Sequence, residues 1–171
     1  MIVTSFHNVA GLGPKVHASQ EHHEDRVRAR RAGFRIHERV HPMKLLGYVF
    51  VGAGIGGVAR YAVAVGIDPR LGSSFPFATF LINVTGSFVL GVIMRLALHS
   101  DAVGPEMRAL LATGFCGGYT TFSTFSYEAA RLIENGEYRR AASYAGSSVL
   151  VALAATFAGF AVADRILALR N

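Results

Sequence analysis

Residues 112–128 read ATGFCGGYTTFSTFSYE, and with their flanks they carry no charge from 109 to 127. A run of that length is close to the roughly 20 helical residues that cross a hydrocarbon core. Its interior is nevertheless a poor continuous helix, because Gly114, Gly117 and Gly118 fall within five residues. Five hydroxyls follow, on Thr120, Thr121, Ser123, Thr124 and Ser126. A break at Gly117–Gly118 is expected, freeing carbonyls where no water can satisfy them. Irregular backbone at membrane depth persists only when it is buried in protein or lines a cavity. Unwound carbonyls in such places hold cations. The competing reading is a kinked helix whose hydroxyls bond back to its own carbonyls. The density of hydroxyls favours the break.

Outward from this stretch, residues 71–94 and 141–163 are also free of charge. The whole chain of 171 residues is 51% hydrophobic and 16% charged, where a soluble domain carries about a quarter charged residues. The fold class is therefore an all-α polytopic membrane protein. Four transmembrane helices are expected, over about 44–66, 75–98, 105–134 and 139–165, the third broken at mid-membrane. Asp68-Pro69-Arg70 with Gly72 makes the first connection. Residues 1–42 form a separate region with seven Lys/Arg, four acids and six of the seven His. They contain no apolar run, so a disordered tail is expected, and they lack the h-region of a secretory signal. The text from Met43, MKLLGYVFVGAGIGGVARY, looks like a natural start, so 1–42 is either such a tail or a mis-assigned extension. His17, His22 and His23 could bind a metal, though a solvated tail is the preferred reading.

The isoelectric point near 10.0 would suggest nucleic acid in a soluble chain, but here cations flanking membrane spans account for it. One cysteine, Cys116, excludes a disulfide framework and a cysteine metal cluster. So short a membrane part cannot enclose a wide pore alone, which points to self-assembly.

Within the spans, Gly52 and Gly56, widened by Gly57, have the spacing that admits another helix backbone, although glycine is common in membrane helices anyway. Asn83, Gly86 and Ser87 share one helix face. A mid-membrane amide must be bonded, either as glue between helices or in a polar lining. Arg95 and His99 lie where long side chains can snorkel. Tyr144 and Ser148, continued by Ala152 and Thr156, place hydroxyls along one face of the last span, to conduct something or to satisfy carbonyls. Glu128 and Glu134 are the acids nearest a span interior, both towards an end, and no acid pair or His relay exists for proton coupling. Enzyme chemistry is excluded on the same inventory, since Cys116 has only His99 outside the tail as a base. What remains is neutral donors with Phe122 and Phe125, whose ring edges are positive, and Arg60 inside the first span. Those groups suit a small-ion pathway, with an anion preferred.

The string TGFCGGYTTFSTFSYE (113–128), with GGVARY (56–61) and FLINVTGSFVLG (80–91), resembles the Fluc (CrcB-type) family of fluoride channels over residues 43–165. The resemblance implies an antiparallel, dual-topology homodimer in the cell inner (plasma) membrane that lets fluoride leave the cytoplasm down its electrochemical gradient. It also implies a structural, non-transported sodium ion (Na+) held by the backbone carbonyls of Gly117 and Thr120. The fluoride pore would fall on Asn83, Phe122, Phe125, Ser123, Thr124, Tyr144 and Ser148, with Arg60 and Glu128 in supporting positions. Two departures stand out. Pro76-Phe77-Ala78-Thr79 replaces the family's Pro-x-Gly-Thr, which bears on how the second helix starts. Ala152 replaces a hydroxyl that some members carry.

Cations counted from Met43 are nearly balanced between the two membrane sides. Lys44, Arg95, Arg108, Arg165 and Arg170 oppose Arg70, Arg131, Arg139 and Arg140, too even to fix one orientation. The tail would add seven to one side and favour a single orientation. Among rival classes, a small multidrug exporter needs an acid in 44–66, which has none. A non-transporting membrane assembly protein and a fluoride/proton antiporter remain as alternatives.

Overall fold

The computed structural model describes residues 42–71, 75–99 and 103–169, apart from the side chains of 68–71. The His17, His22 and His23 cluster and the rest of the tail lie outside the described residues. Helix α1 (Pro42–Leu71) begins on a proline, a residue suited to a first turn because its missing N–H has no helical partner there. It continues through Asp68, Pro69 and Arg70, which were expected as a connection.

Helix α2 (Phe77–His99) starts directly after Pro76, and the Phe80 amide donates to the Pro76 carbonyl at 3.1 Å. The departure at 76–79 therefore still supports a regular helix start, with Ala78 and Thr79 buried. The third expected span is divided. Its first part, α3, runs as Pro105–Arg108 in α form, Ala109–Cys116 in π form and Gly117–Tyr119 in α form. Helix α4 (Phe122–Glu134) makes the second part. Helix α5 (Tyr138–Ala168) closes the fold. Between α4 and α5, Gly136 adopts φ 74°. The Gly136 amide donates to the Ile133 carbonyl and the Glu137 amide to the Leu132 carbonyl, the paired bonds of a Schellman stop.

The break corrects the expected position. Gly117 is helical, at φ −64° and ψ −37°, whereas Thr120 (φ −78°, ψ 159°) and Thr121 (φ −150°, ψ 116°) are extended. Gly114 and Gly118 serve packing instead, while a Cβ on Gly117 would meet open space. A Cβ on Gly118 would lie 2.5 Å from the Ala53 carbonyl oxygen, and one on Gly114 would lie 2.9 Å from the Gly52 Cα. β-branched threonines accept extended backbone readily, and the lost helical bonds of Thr121 are replaced from α2 by Asn83.

Among the described residues, three helices are long and apolar enough to cross a membrane: Pro42–Ile67, Phe77–His99 and Tyr138–Ala168. With the bent third element they form an all-helical, multi-pass membrane protein. Packing divides it into two pairs. α1 lies on the π segment of α3, and α2 lies along α5, while α1 and α2 touch less extensively. Small residues permit both contacts. Side chains at Gly52 and Gly56 would collide with the Leu110 and Phe115 carbonyls, and a Cβ on Gly91 would lie 2.6 Å from the Thr156 carbonyl oxygen. At one end of the α2–α5 pair, Arg95 donates to both carboxylate oxygens of Asp164, at 2.8 and 3.0 Å.

Candidate ion-binding site at the helix break

The site is built on the peptide units that the break releases. Helix α3 would ordinarily carry the Thr121 amide to the Gly117 carbonyl. Instead the Thr121 amide donates to Asn83 Oδ1 at 2.9 Å, and Asn83 Nδ2 donates to the Thr121 carbonyl at 3.1 Å. A primary amide matches a peptide unit donor for acceptor, and it keeps a second N–H to offer elsewhere. The Thr121 hydroxyl caps α4 by accepting from the Thr124 amide at 3.1 Å, which satisfies one orphan donor of that helix. The same hydroxyl bonds Thr124 Oγ1 at 3.0 Å and Ser123 Oγ at 3.3 Å.

Two carbonyls at the break stand apart from ordinary helical pairing. The Gly117 carbonyl has lost its usual donor to Asn83. The Thr120 carbonyl, on an extended residue, receives only a long 3.5 Å contact from Arg60 Nη1 among the described residues. One from the end of a helical turn and one from extended backbone, these neutral oxygens are of the type that would suit a hard monovalent cation.

A cavity of about 290 Å3 opens beside the break, lined by Asn83, Ser87, Phe122, Phe125 and Ser148 among others. The Ser148 hydroxyl is buried there with no hydrogen-bond partner in the described structure. Such an orphan is costly unless something occupies the cavity beside it. The Phe122 and Phe125 rings are tilted by 40° with centroids 5.6 Å apart. Ala152 lines the same cavity, so no hydroxyl follows Ser148 one turn on.

Asn83, Phe122, Phe125 and Ser148 are thus brought together. Tyr144 is adjacent, its ring 5.2 Å from Phe125, but its hydroxyl donates to Glu128 Oε2 at 2.7 Å. Ser123 and Thr124 are exposed and gathered at the cap, outside the cavity lining in the single chain. Arg60 reaches the break from α1.

Sequence reasoning missed three partners. Thr121 is both cap and partner to Asn83. Thr79 donates to Glu128 Oε1 at 2.9 Å, so that Glu128 joins α2, α4 and α5. Tyr119 shares a 3.0 Å hydrogen bond with Thr85. The doublet Thr120-Thr121 before an apolar amphipathic run was a capping signal that could have located the break.

Fold and site together define a multi-pass helical membrane protein with a largely apolar cavity, carrying a few polar groups, at a broken helix. The family described as "CrcB-like protein, Camphor Resistance (CrcB)" matches residues 47–160, and the chain belongs to that family. A relative from Chlorobaculum tepidum, named fluoride-specific ion channel FluC, is 48% identical over 119 residues, covering 68% of this chain and 94% of the relative. Proteins of the same name from Rhodospirillum centenum and Acidobacterium capsulatum are each 45% identical. Those alignments cover 70% and 74% of this chain, and 95% and 100% of the relatives.

Proposed function

We infer that this chain is a fluoride-specific ion channel and not an enzyme, as its FluC relatives are named. It lets fluoride leave the cytoplasm across the plasma membrane down the electrochemical gradient, lowering toxic intracellular fluoride. The observation that carries the site is the buried, unpartnered Ser148 hydroxyl facing a cavity shared with Asn83, Phe122 and Phe125. Fluoride holds its water tightly, so a lining must replace those donors at successive positions while still releasing the ion. The Ser148 hydroxyl, the second Asn83 N–H and the positive ring edges are such donors. Tyr144, Ser123 and Thr124 extend the polar track, with Arg60 and Glu128 supporting it.

The channel domain is 43–171, and 1–42 is a separate charged tail. The working unit is an antiparallel, dual-topology homodimer. Phe122, 79% exposed in the single chain, supports a pore completed by a second copy. A structural sodium ion would be held by the carbonyls of Gly117 and Thr120 from both subunits. When bound it supplies a fixed central charge and a staple between them.

Fluoride release from liposomes carrying the purified protein tests the function, with chloride-loaded vesicles as control. Fast fluoride efflux without chloride efflux is expected. Intact dimers that release neither ion in sodium overturn the channel in favour of an assembly protein.

A further inference from the structure

A second cavity, of about 300 Å3, opens beside the turn between α4 and α5 and is lined by Phe75, Leu132, Arg139, Arg140 and Ser143. Ring contacts link it to the first. Phe75 packs edge-on against Tyr144 at 5.3 Å, and Tyr144 packs against Phe125 at 5.2 Å. Along α5, residues 140, 144, 148 and 152 follow at intervals of four and so share one helix face. That face carries a cation at one cavity, an aromatic ring between the two, and the orphan hydroxyl of Ser148 at the other.

The arginines break a local rule. Both lie in the first turn of a 31-residue helix, where the positive end of the helix dipole disfavours cations. Arg140 is paired with Glu137, while Arg139 has no ion pair among the described residues. Glu137 offsets Arg140, so the positive potential at this mouth comes from Arg139 and the helix N-terminus. No carboxylate is among the lining residues themselves. Further along the path, Glu128 is occupied by Thr79 and Tyr144. Such low-dielectric clefts raise the local concentration of oppositely charged ions.

The geometry points to this cavity as the anion-collecting mouth of the pathway, with Arg139 and Arg140 drawing fluoride towards the Phe75–Tyr144–Phe125 partition and the Ser148 cavity beyond. The assignment rests on the fluoride-channel reading. The arginines hold the ion loosely with its water, and desolvation happens further in.

The test is initial fluoride efflux, at subsaturating fluoride, from vesicles of zwitterionic lipid carrying the full chain. Raising ionic strength with impermeant salt from about 0.01 M to about 1 M shortens the screening length from about 30 Å to about 3 Å. R139Q is expected to slow efflux roughly threefold at low ionic strength, and R139Q/R140Q more, with both matching the parent at high ionic strength. R139K should keep the parent rate at both. Equal rates for R139Q and the parent at low ionic strength overturn the proposal. A deficit unchanged by salt and shared by R139K overturns it too, marking a structural role. Should the double variant fail to elute as a folded protein, the single Gln and Lys variants decide. A deficit seen only in vesicles with anionic lipid assigns the arginines to a phospholipid headgroup instead. A parent no faster than protein-free vesicles overturns the channel reading and the mouth with it.

Discussion

Asn83 and Thr121 exchange two hydrogen bonds across the break, so a single side chain both fixes the bend and keeps one donor for the cavity. Asn83→Ala leaves the Thr121 amide and carbonyl unpaired, and about 2 kcal/mol of stability should be lost, seen as a lower melting temperature in detergent. On the proposed pathway Asn83→Asp puts a negative charge where the anion would pass, and fluoride efflux should cease while the proposed dimer survives in gel filtration. Phe122→Ile removes a ring edge from the path and should do the same. Ser148→Ala separates function from folding. Deleting an unpartnered buried hydroxyl costs no stability, yet it removes one donor to the ion, and efflux should fall about tenfold. An unchanged rate in Ser148→Ala would remove that hydroxyl from the pathway. Asn83 was legible in the sequence because an amide in hydrocarbon must find a partner. Thr121 was not, since its role comes from a cap that forms only once the chain has bent.

At the scale of helices, the break was legible in kind but not in position. Glycine density suggested Gly117–Gly118, yet Gly114 and Gly118 are the glycines that let α3 approach α1, and the doublet Thr120-Thr121 takes the extended backbone. The π form of Ala109–Cys116 carries no sequence signal that periodicity could catch. Gly52 and Gly56 read correctly as an approach site, because a groove of small residues has one use that a side chain would abolish. Gly56→Leu should therefore prevent α1 from seating on α3, measured as loss of the folded species in gel filtration. Gly136→Val forces a side chain into the left-handed region and should cost about 1–2 kcal/mol, lowering the melting temperature without altering ion selectivity.

For the whole molecule, the first of the four expected spans, 44–66, carries Arg60, whereas the other three followed from charge-free runs, since hydrocarbon thickness sets helix length. The contacts between helices did not, because many large apolar side chains, such as Phe50, Val58 and Leu150, remain exposed in the single chain and nothing in the sequence divides lipid-facing from subunit-facing ones. Replacing sodium with a bulky organic cation should weaken the dimer and stop efflux, followed by gel filtration and fluoride release together. The subunit's two helix pairs have a mechanical consequence. Each pair is clamped backbone to backbone through glycine, whereas the seam between them is held by side-chain hydrogen bonds such as Asn83–Thr121 and Thr85–Tyr119. The soft coordinate is thus the sliding of two stiff rods past each other, and the cavity lies along it. Acyl-chain length is therefore expected to load that coordinate, and fluoride efflux should differ between vesicles of short-chain and long-chain lipid.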